Sequence, residues 1–181
     1  MEKVYFAKTR EVKSPTRGTS KASGIDMYVP RFTDKFIEDL VKKNPEICDV
    51  HPGSYEYIVS LSKDSGNKIF LAPHCRICIP SGIVWKGKDG LSMNMHNKSG
   101  VATKKGLVYA AEVVDVDYTG ETHISLINTS PYIVEICEGE KIVQILQEPV
   151  TIDEPEECSL EEITSQETER GTNWQGSTGT K

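Results

Sequence analysis

Short runs of Val, Ile, Leu and Tyr broken by Gly, Pro, Asn, Asp and Ser recur through most of this chain, and that rhythm limits the fold more than any other feature. The runs are Tyr55–Leu61, Lys68–Leu71, Arg76–Ile79, Gly82–Trp85, Leu91–Met95, Leu107–Val114, His123–Asn128, Tyr132–Ile136 and Lys141–Pro149. Apolar runs bounded by turn formers at this spacing predict many short strands, and many short strands predict an all-β barrel or sandwich such as a jelly roll. No internal repeat is present. One segment breaks the pattern. In Thr33–Asn44 the apolar Phe36, Ile37, Leu40 and Val41 share one helical face, Thr33 or Asp34 can cap the start, and Lys42, Lys43, Asn44 and Pro45 form a cationic stop. The expected fold is mainly β, a jelly-roll-like distorted β-barrel with one inserted helix and an extended C-terminal arm. A chain of 181 residues fits one ordinary domain with an appendage. The expected division is a β domain over 1–150, an acidic spacer over 151–169 and a glycine-rich arm over 170–181.

The formal net charge of −6 is unevenly spread. Residues 151–169 hold eight acids (Asp153, Glu154, Glu156, Glu157, Glu161, Glu162, Glu167, Glu169) and no Lys or Arg, which leaves +2 on the remainder. Such a run reads as a solvated, mobile spacer, with docking on a basic partner as the alternative. No polybasic groove with interleaved aromatics accompanies it, so a nucleic-acid polymer is not an expected partner. No stretch approaches the roughly 18 consecutive apolar residues of a membrane span, and Met1-Glu2-Lys3-Val4 does not begin an apolar leader. A soluble, cytoplasmic protein with no membrane association is expected. Five scattered cysteines, Cys48, Cys75, Cys78, Cys137 and Cys158, suit reduced thiols better than a disulfide framework. Cys75 and Cys78 form a CxxC pair, but they lie in a strand-like stretch where only Cys48, His51 or His74 could complete a metal site. They are read as ordinary strand cysteines.

Three places carry chemistry. Val114-Asp115-Val116-Asp117-Tyr118-Thr119-Gly120-Glu121 is the densest: if it is a strand, Asp115 and Asp117 share a face, where two carboxylates can bind a metal or leave one poised as a base for water. A polar hairpin turn is the alternative. Asn97-Lys98-Ser99-Gly100-Val101-Ala102-Thr103-Lys104-Lys105-Gly106 crowds cations, hydroxyls and glycines in a way that suits phosphate, or that makes an ordinary charged loop. After Glu169 the chain turns cationic and glycine-rich, from Arg170-Gly171-Thr172-Asn173-Trp174-Gln175 to Gly176-Ser177-Thr178-Gly179, and small residues of this kind let backbone N–H groups approach phosphate closely.

Taken in order, these segments resemble the five motifs of the trimeric dUTPase family. Ala22-Ser23-Gly24-Ile25-Asp26-Met27-Tyr28 is similar to the first, Lys98-Ser99-Gly100-Val101-Ala102 to the second and Val113 to Glu121 to the third. Gly139-Glu140-Lys141-Ile142-Val143-Gln144 is similar to the fourth, and Arg170-Gly171 with Gly176-Ser177-Thr178-Gly179 to the fifth. The resemblance implies a jelly-roll homotrimer with active sites shared between subunits, and Mg²⁺-dependent cleavage of dUTP between the α- and β-phosphates to dUMP and pyrophosphate. It implies Asp115 as the residue that activates water and Tyr118 as the platform under the deoxyribose that excludes a 2′-hydroxyl. Lys98, Ser99, Gly100 and Gln144 would bind phosphate, Val114 would border the base, and Asp26 would hold hydrated Mg²⁺ through water. Arg170, Ser177 and Thr178 would close over the γ-phosphate.

The sequence departs from the family pattern at three points. Lys98 stands where Arg is usual, which removes a bidentate fork. The usual glycines of the base-reading hairpin are replaced by Tyr109-Ala110-Ala111-Glu112, and a carboxylate at Glu112 is able to accept from an exocyclic amine or to point outward as a surface residue. The usual stacking Phe is absent, and Trp174 is the aromatic nearest its place. dUTP is therefore the favoured substrate, with dCTP or a modified pyrimidine deoxynucleoside triphosphate as the alternative. A nucleotide-responsive binding or regulatory protein is the reading from a different class.

Overall fold

The computed structural model describes residues 3–44, 68–168 and 171, so the predicted run Tyr55–Leu61, Cys48, and the site residues Arg170, Trp174, Ser177 and Thr178 lie outside the described residues. Alternation is cleanest in His123–Asn128, where Ile124, Leu126 and Asn128 turn inward and the residues between them do not. In chain order the strands are β1 (Phe6–Lys8), β2 (Thr16–Arg17), β3 (Ile25–Tyr28), β4 (Lys68–Leu71), β5 (Arg76–Pro80), β6 (Ile83–Trp85), β7 (Leu91–Asn97), β8 (Leu107–Tyr109), β9 (His123–Asn128), β10 (Val134–Cys137) and β11 (Lys141–Pro149). Among the described residues three helices accompany them: α1 (Asp34–Lys43), α2 (Ser99–Lys105) and α3 (Leu160–Thr164). All strand pairings among the described residues are antiparallel and form four sheets, in the orders β2-β3-β11-β7, β5-β9-β8, β1-β6 and β4-β10. The architecture is mainly β and jelly-roll-like as expected, but the strands divide among four short ladders and do not close into one barrel. The inward faces share one core, in which Met27, Ile79, Met95, Ile124, Ile136, Val143 and Ile145 are fully buried.

The inserted helix lies where its periodicity predicts. Thr33 caps α1 by accepting from the Phe36 backbone N–H at 3.2 Å, and Phe36 and Leu40 are buried. Phe36 also stacks on Phe32, with ring centroids 5.0 Å apart. The C-cap Asn44 does more than end the helix. Its side-chain amide accepts from the Cys78 N–H at 2.7 Å and donates to the Cys78 carbonyl at 2.9 Å, while also donating to the Leu40 carbonyl at 2.6 Å. Cys78 is on β5, the outer strand of its sheet, so the Asn44 amide pairs with it as a neighbouring strand would. Asn44→Ala leaves the half-buried N–H and C=O of Cys78 without these partners and should lower unfolding free energy by about 1–3 kcal/mol, read from urea denaturation at fixed protein concentration.

Several elements differ from expectation. The run Leu107–Val114 is a strand only to Tyr109. Beyond it the chain follows β7 through irregularly spaced bonds: Tyr109 N–H to Asn97 Oδ1 at 2.5 Å, Met95 N–H to the Glu112 carbonyl at 2.9 Å, and Ser92 Oγ to the Val114 carbonyl at 3.3 Å. Such uneven steps cannot make a ladder. The segment around Ser99 is a helix rather than an open loop, closed by Gly106 at φ 67°. Strands β1, β2 and β3 were not foreseen, because β1 and β2 are very short and all four residues of β3 are buried without alternation.

Residues 1–150 form one compact unit and 151–181 a second. The described part of the second is exposed throughout. It contains α3, whose Ser159 and Glu162 make a reciprocal capping box. The acidic run thus has local order that its charge alone does not suggest. No helix among the described residues is long and apolar enough to cross a membrane.

Candidate functional site

A β-bulge assembles the centre of the site. In a regular strand Lys141 and Gln144, three residues apart, would face opposite ways. The register of β11 against β3 shifts between Lys141 and Val143, so that Lys141 lies opposite Tyr28 and Gln144 opposite Asp26. Because Asp26 and Tyr28 share a face of β3, the bulge turns Lys141 and Gln144 toward the same face. Lys141 Nζ lies 2.9 Å from Asp26 Oδ2 and 5.8 Å from the centre of the Tyr28 ring.

The second cation on Asp26 comes from the turn after β7. Lys98 pairs with Asp26 Oδ1, and the Asp26 side chain is only 7% exposed. Burial raises the Asp26 carboxyl, but hydrogen bonds from Lys98 and Lys141 outweigh it and hold the group below its ordinary range. Lys98 is also the N-cap of α2, so Ser99 and Gly100, both exposed, begin a helix whose first N–H groups have no intrahelical acceptor. Gln144 donates to the Asn97 carbonyl at 3.0 Å. It also leaves no space for a side chain at residue 24, since a Cβ on Gly24 would overlap it. Asp26, Lys98, Ser99 and Gln144 therefore converge on one end of the β3-β11-β7 sheet, with Lys141 added. Lys141 was not singled out from the sequence; only the bulge brings it to this face.

Asp115 and Tyr118 stand elsewhere. The strand that would have set Asp115 and Asp117 on one face is absent: residues 116–117 form a turn, and the Tyr118 N–H donates to the Asp115 carbonyl at 3.1 Å. Tyr118 is 43% exposed, and its hydroxyl donates to the Glu121 carbonyl at 3.0 Å. Its ring lies where a Cβ on Gly120 would fall, so a larger residue there would displace the tyrosine. Glu112 is exposed, whereas Val114 is half-buried against the core. The nearby Tyr109 phenol is pushed up by burial first, with Cys78 and Glu112 adding to the effect.

The bonds along β7 give the separation. Val114 is held at Ser92, near one end of the strand, while Lys98 follows the other end. Six residues of strand span about 20 Å. Within one chain, Asp115 is thus well removed from the cluster around Asp26 and Gln144.

A divalent cation can be tested against these groups. Among the described residues, no group of three or more His, Cys, Asp or Glu could hold a metal ion. Both Asp26 oxygens already accept from lysine, but each keeps a lone pair able to accept from water. The donor set fits a hydrated Mg²⁺ whose charge is balanced by substrate phosphates, the arrangement this ion favours, and does not fit a site made by protein alone. The free Cys75 and Cys78 are both half-buried, and burial pushes the Cys78 thiol up.

The dUTPase family model matches residues 58–179. A deoxyuridine 5'-triphosphate nucleotidohydrolase of Candida albicans is 43% identical over 177 residues, spanning 98% of this chain and 87% of its own length. Among solved structures, a mutant dUTPase of Staphylococcus bacteriophage 80alpha, determined with dUpNHpp, superposes with a TM-score of 0.66 at 15% identity over 99% of both chains. A mutant dUTPase from phage phi11 of S. aureus, described for the coordination of a structural Mg(II) ion, gives 0.61 at 15% identity, over 88% of this chain and 99% of that one.

Proposed function

We propose that this chain, which belongs to the dUTPase family, hydrolyses dUTP to dUMP and pyrophosphate. The observation that carries this reading is the convergence of Asp26, Lys98, Ser99 and Gln144 on one sheet end, from segments more than a hundred residues apart. Lys98, Ser99, Gly100 and Gln144 bind the phosphates. Arg170, Ser177 and Thr178 add the last contacts, consistent with a family match that runs to residue 179. Asp115 orients the attacking water and takes its proton as the bond between the α- and β-phosphates breaks. Tyr118 packs under the deoxyribose and leaves no room for a 2′-hydroxyl, while Val114 and Glu112 border the base and Trp174 covers it. Asp26 receives the hydrated Mg²⁺ through water, and the ion neutralises phosphate charge.

The active protein is a homotrimer in which the Asp115 of one subunit serves the phosphate cluster of another. Support comes from the length of β7, which separates these groups within a chain, and from the exposure of Asp115 and Tyr118. The substrate is tested by incubating the protein separately with dUTP, dCTP, dTTP and UTP, with Mg²⁺ or with a chelator, and measuring pyrophosphate. dUTP should be turned over fastest, and only with Mg²⁺. Faster release from dCTP would overturn the base assignment, and no release from any nucleotide would overturn the enzyme.

A further inference from the structure

A charged network outside the phosphate cluster grips the turn that carries Tyr118. Arg10 donates from Nε to Glu121 Oε1 at 2.9 Å and from its terminal nitrogen to Glu121 Oε2 at 2.8 Å, a bidentate fork on a carboxylate. The Gly82 N–H adds a third bond to Glu121 Oε1, at 2.6 Å. Both side chains are largely buried, at 15% exposure for Arg10 and 17% for Glu121. Burial pushes the Glu121 carboxyl up, but the bonds from Arg10 and Gly82 more than reverse this, and the group remains charged at neutral pH. Glu121 is also the residue whose backbone carbonyl accepts from the Tyr118 hydroxyl.

The other end of the network is the inserted helix. The remaining nitrogen of Arg10 donates to Asp39 Oδ2 on α1 at 3.1 Å, and its guanidinium lies 5.9 Å from the centre of the Phe36 ring. Asp39 is held in turn by Lys35 at 2.9 Å. The insertion, Arg10, Glu121 and Tyr118 thus form one continuous chain of contacts, although Arg10 and Glu121 lie 111 residues apart in sequence.

We infer that α1 and Arg10 act as positioning elements for Tyr118, fixing the height of its ring through Glu121 and so setting how strongly the enzyme rejects ribonucleotides. This rests on the reading that Tyr118 packs under the sugar. A platform that excludes one hydroxyl works only if its position is tight to a fraction of an ångström, and the backbone of residues 110–120 lies outside any ladder. Arg10 ties this turn to a helix anchored in the core by Phe36 and Leu40. Neither Arg10 nor Glu121 touches substrate in this proposal.

The test is the ratio of kcat/KM for dUTP to that for UTP, measured on one preparation of each full-length variant. A smaller folded fraction lowers both rates equally and cancels in the ratio, so a merely structural role leaves it unchanged. Arg10→Met and Glu121→Gln should each reduce the ratio by about tenfold, mostly through better use of UTP. Asp39→Asn, which keeps the Arg10–Glu121 fork but weakens the helix contact, should reduce it by about two- to threefold. Tyr118→Ala is the control for the underlying reading and should abolish most of the discrimination. If Tyr118→Ala loses discrimination while Arg10→Met and Glu121→Gln retain it, the positioning role is refuted and the platform stands. If Tyr118→Ala itself retains it, the platform reading falls, and the positioning role with it.

Discussion

Asp115→Asn should lower kcat by roughly 10²–10⁴-fold while changing the affinity for a non-hydrolysable dUTP analogue little, the pattern of a lost general base. The substitution is clean for a structural reason. The turn at 116–117 is closed by the backbone carbonyl of Asp115, which accepts from Tyr118, and Asn provides the same carbonyl. An amide of the same shape can still hold a water by hydrogen bonding but cannot take its proton. Single-turnover rates with dUTP and Mg²⁺, set beside binding titrations with the analogue, separate the two effects. Turnover within a few-fold of the parent protein would mean that water is activated by another group.

Mixing two dead variants should restore activity, an effect nearly as large. Asp115→Asn and Gln144→Ala damage groups at opposite ends of β7. If each site takes Asp115 from one subunit and Gln144 from another, random mixed trimers of the two variants contain about a quarter intact sites. If each site were built within one chain, every site would carry a lesion and mixing would restore nothing. Co-expression of the two variants at equal levels, followed by a pyrophosphate assay, distinguishes these outcomes. Unmixed samples of each variant provide the baseline.

Much of the fold was legible because it rests on local patterns. β4, β9 and β11 begin and end where apolar runs meet turn formers, and α1 follows its cap and its cationic last turn. The failures have physical causes. Leu107–Val114 begins and ends with strand formers, yet after Tyr109 its bonds to β7 fall at unequal intervals, and side-chain chemistry does not encode that spacing. α2 has a single buried residue, Val101, too little to show a helical period. α3 was hidden by its charge, although Ser159 with Glu162 three residues later was a readable cap.

The candidate site divides the same way. Asp26, Lys98, Ser99 and Gln144 were found as members of ordered motifs, and they do come together. Lys141 was passed over because strand parity puts it on the wrong face, and only a bulge corrects the parity. Arg10 was invisible for a different reason: its partner Glu121 lies 111 residues away, and a lone arginine just after β1 has no motif to mark it.

The Asn44 amide on β5 has a consequence outside catalysis. An outer strand with free N–H and C=O groups is a template on which another chain can add itself, and a β protein that oligomerises must confine association to its chosen faces. By occupying the Cys78 groups and laying α1 beside the strand, the insertion covers the middle of that edge. A helix that touches no substrate thereby also lowers the protein's tendency to grow by uncontrolled sheet extension.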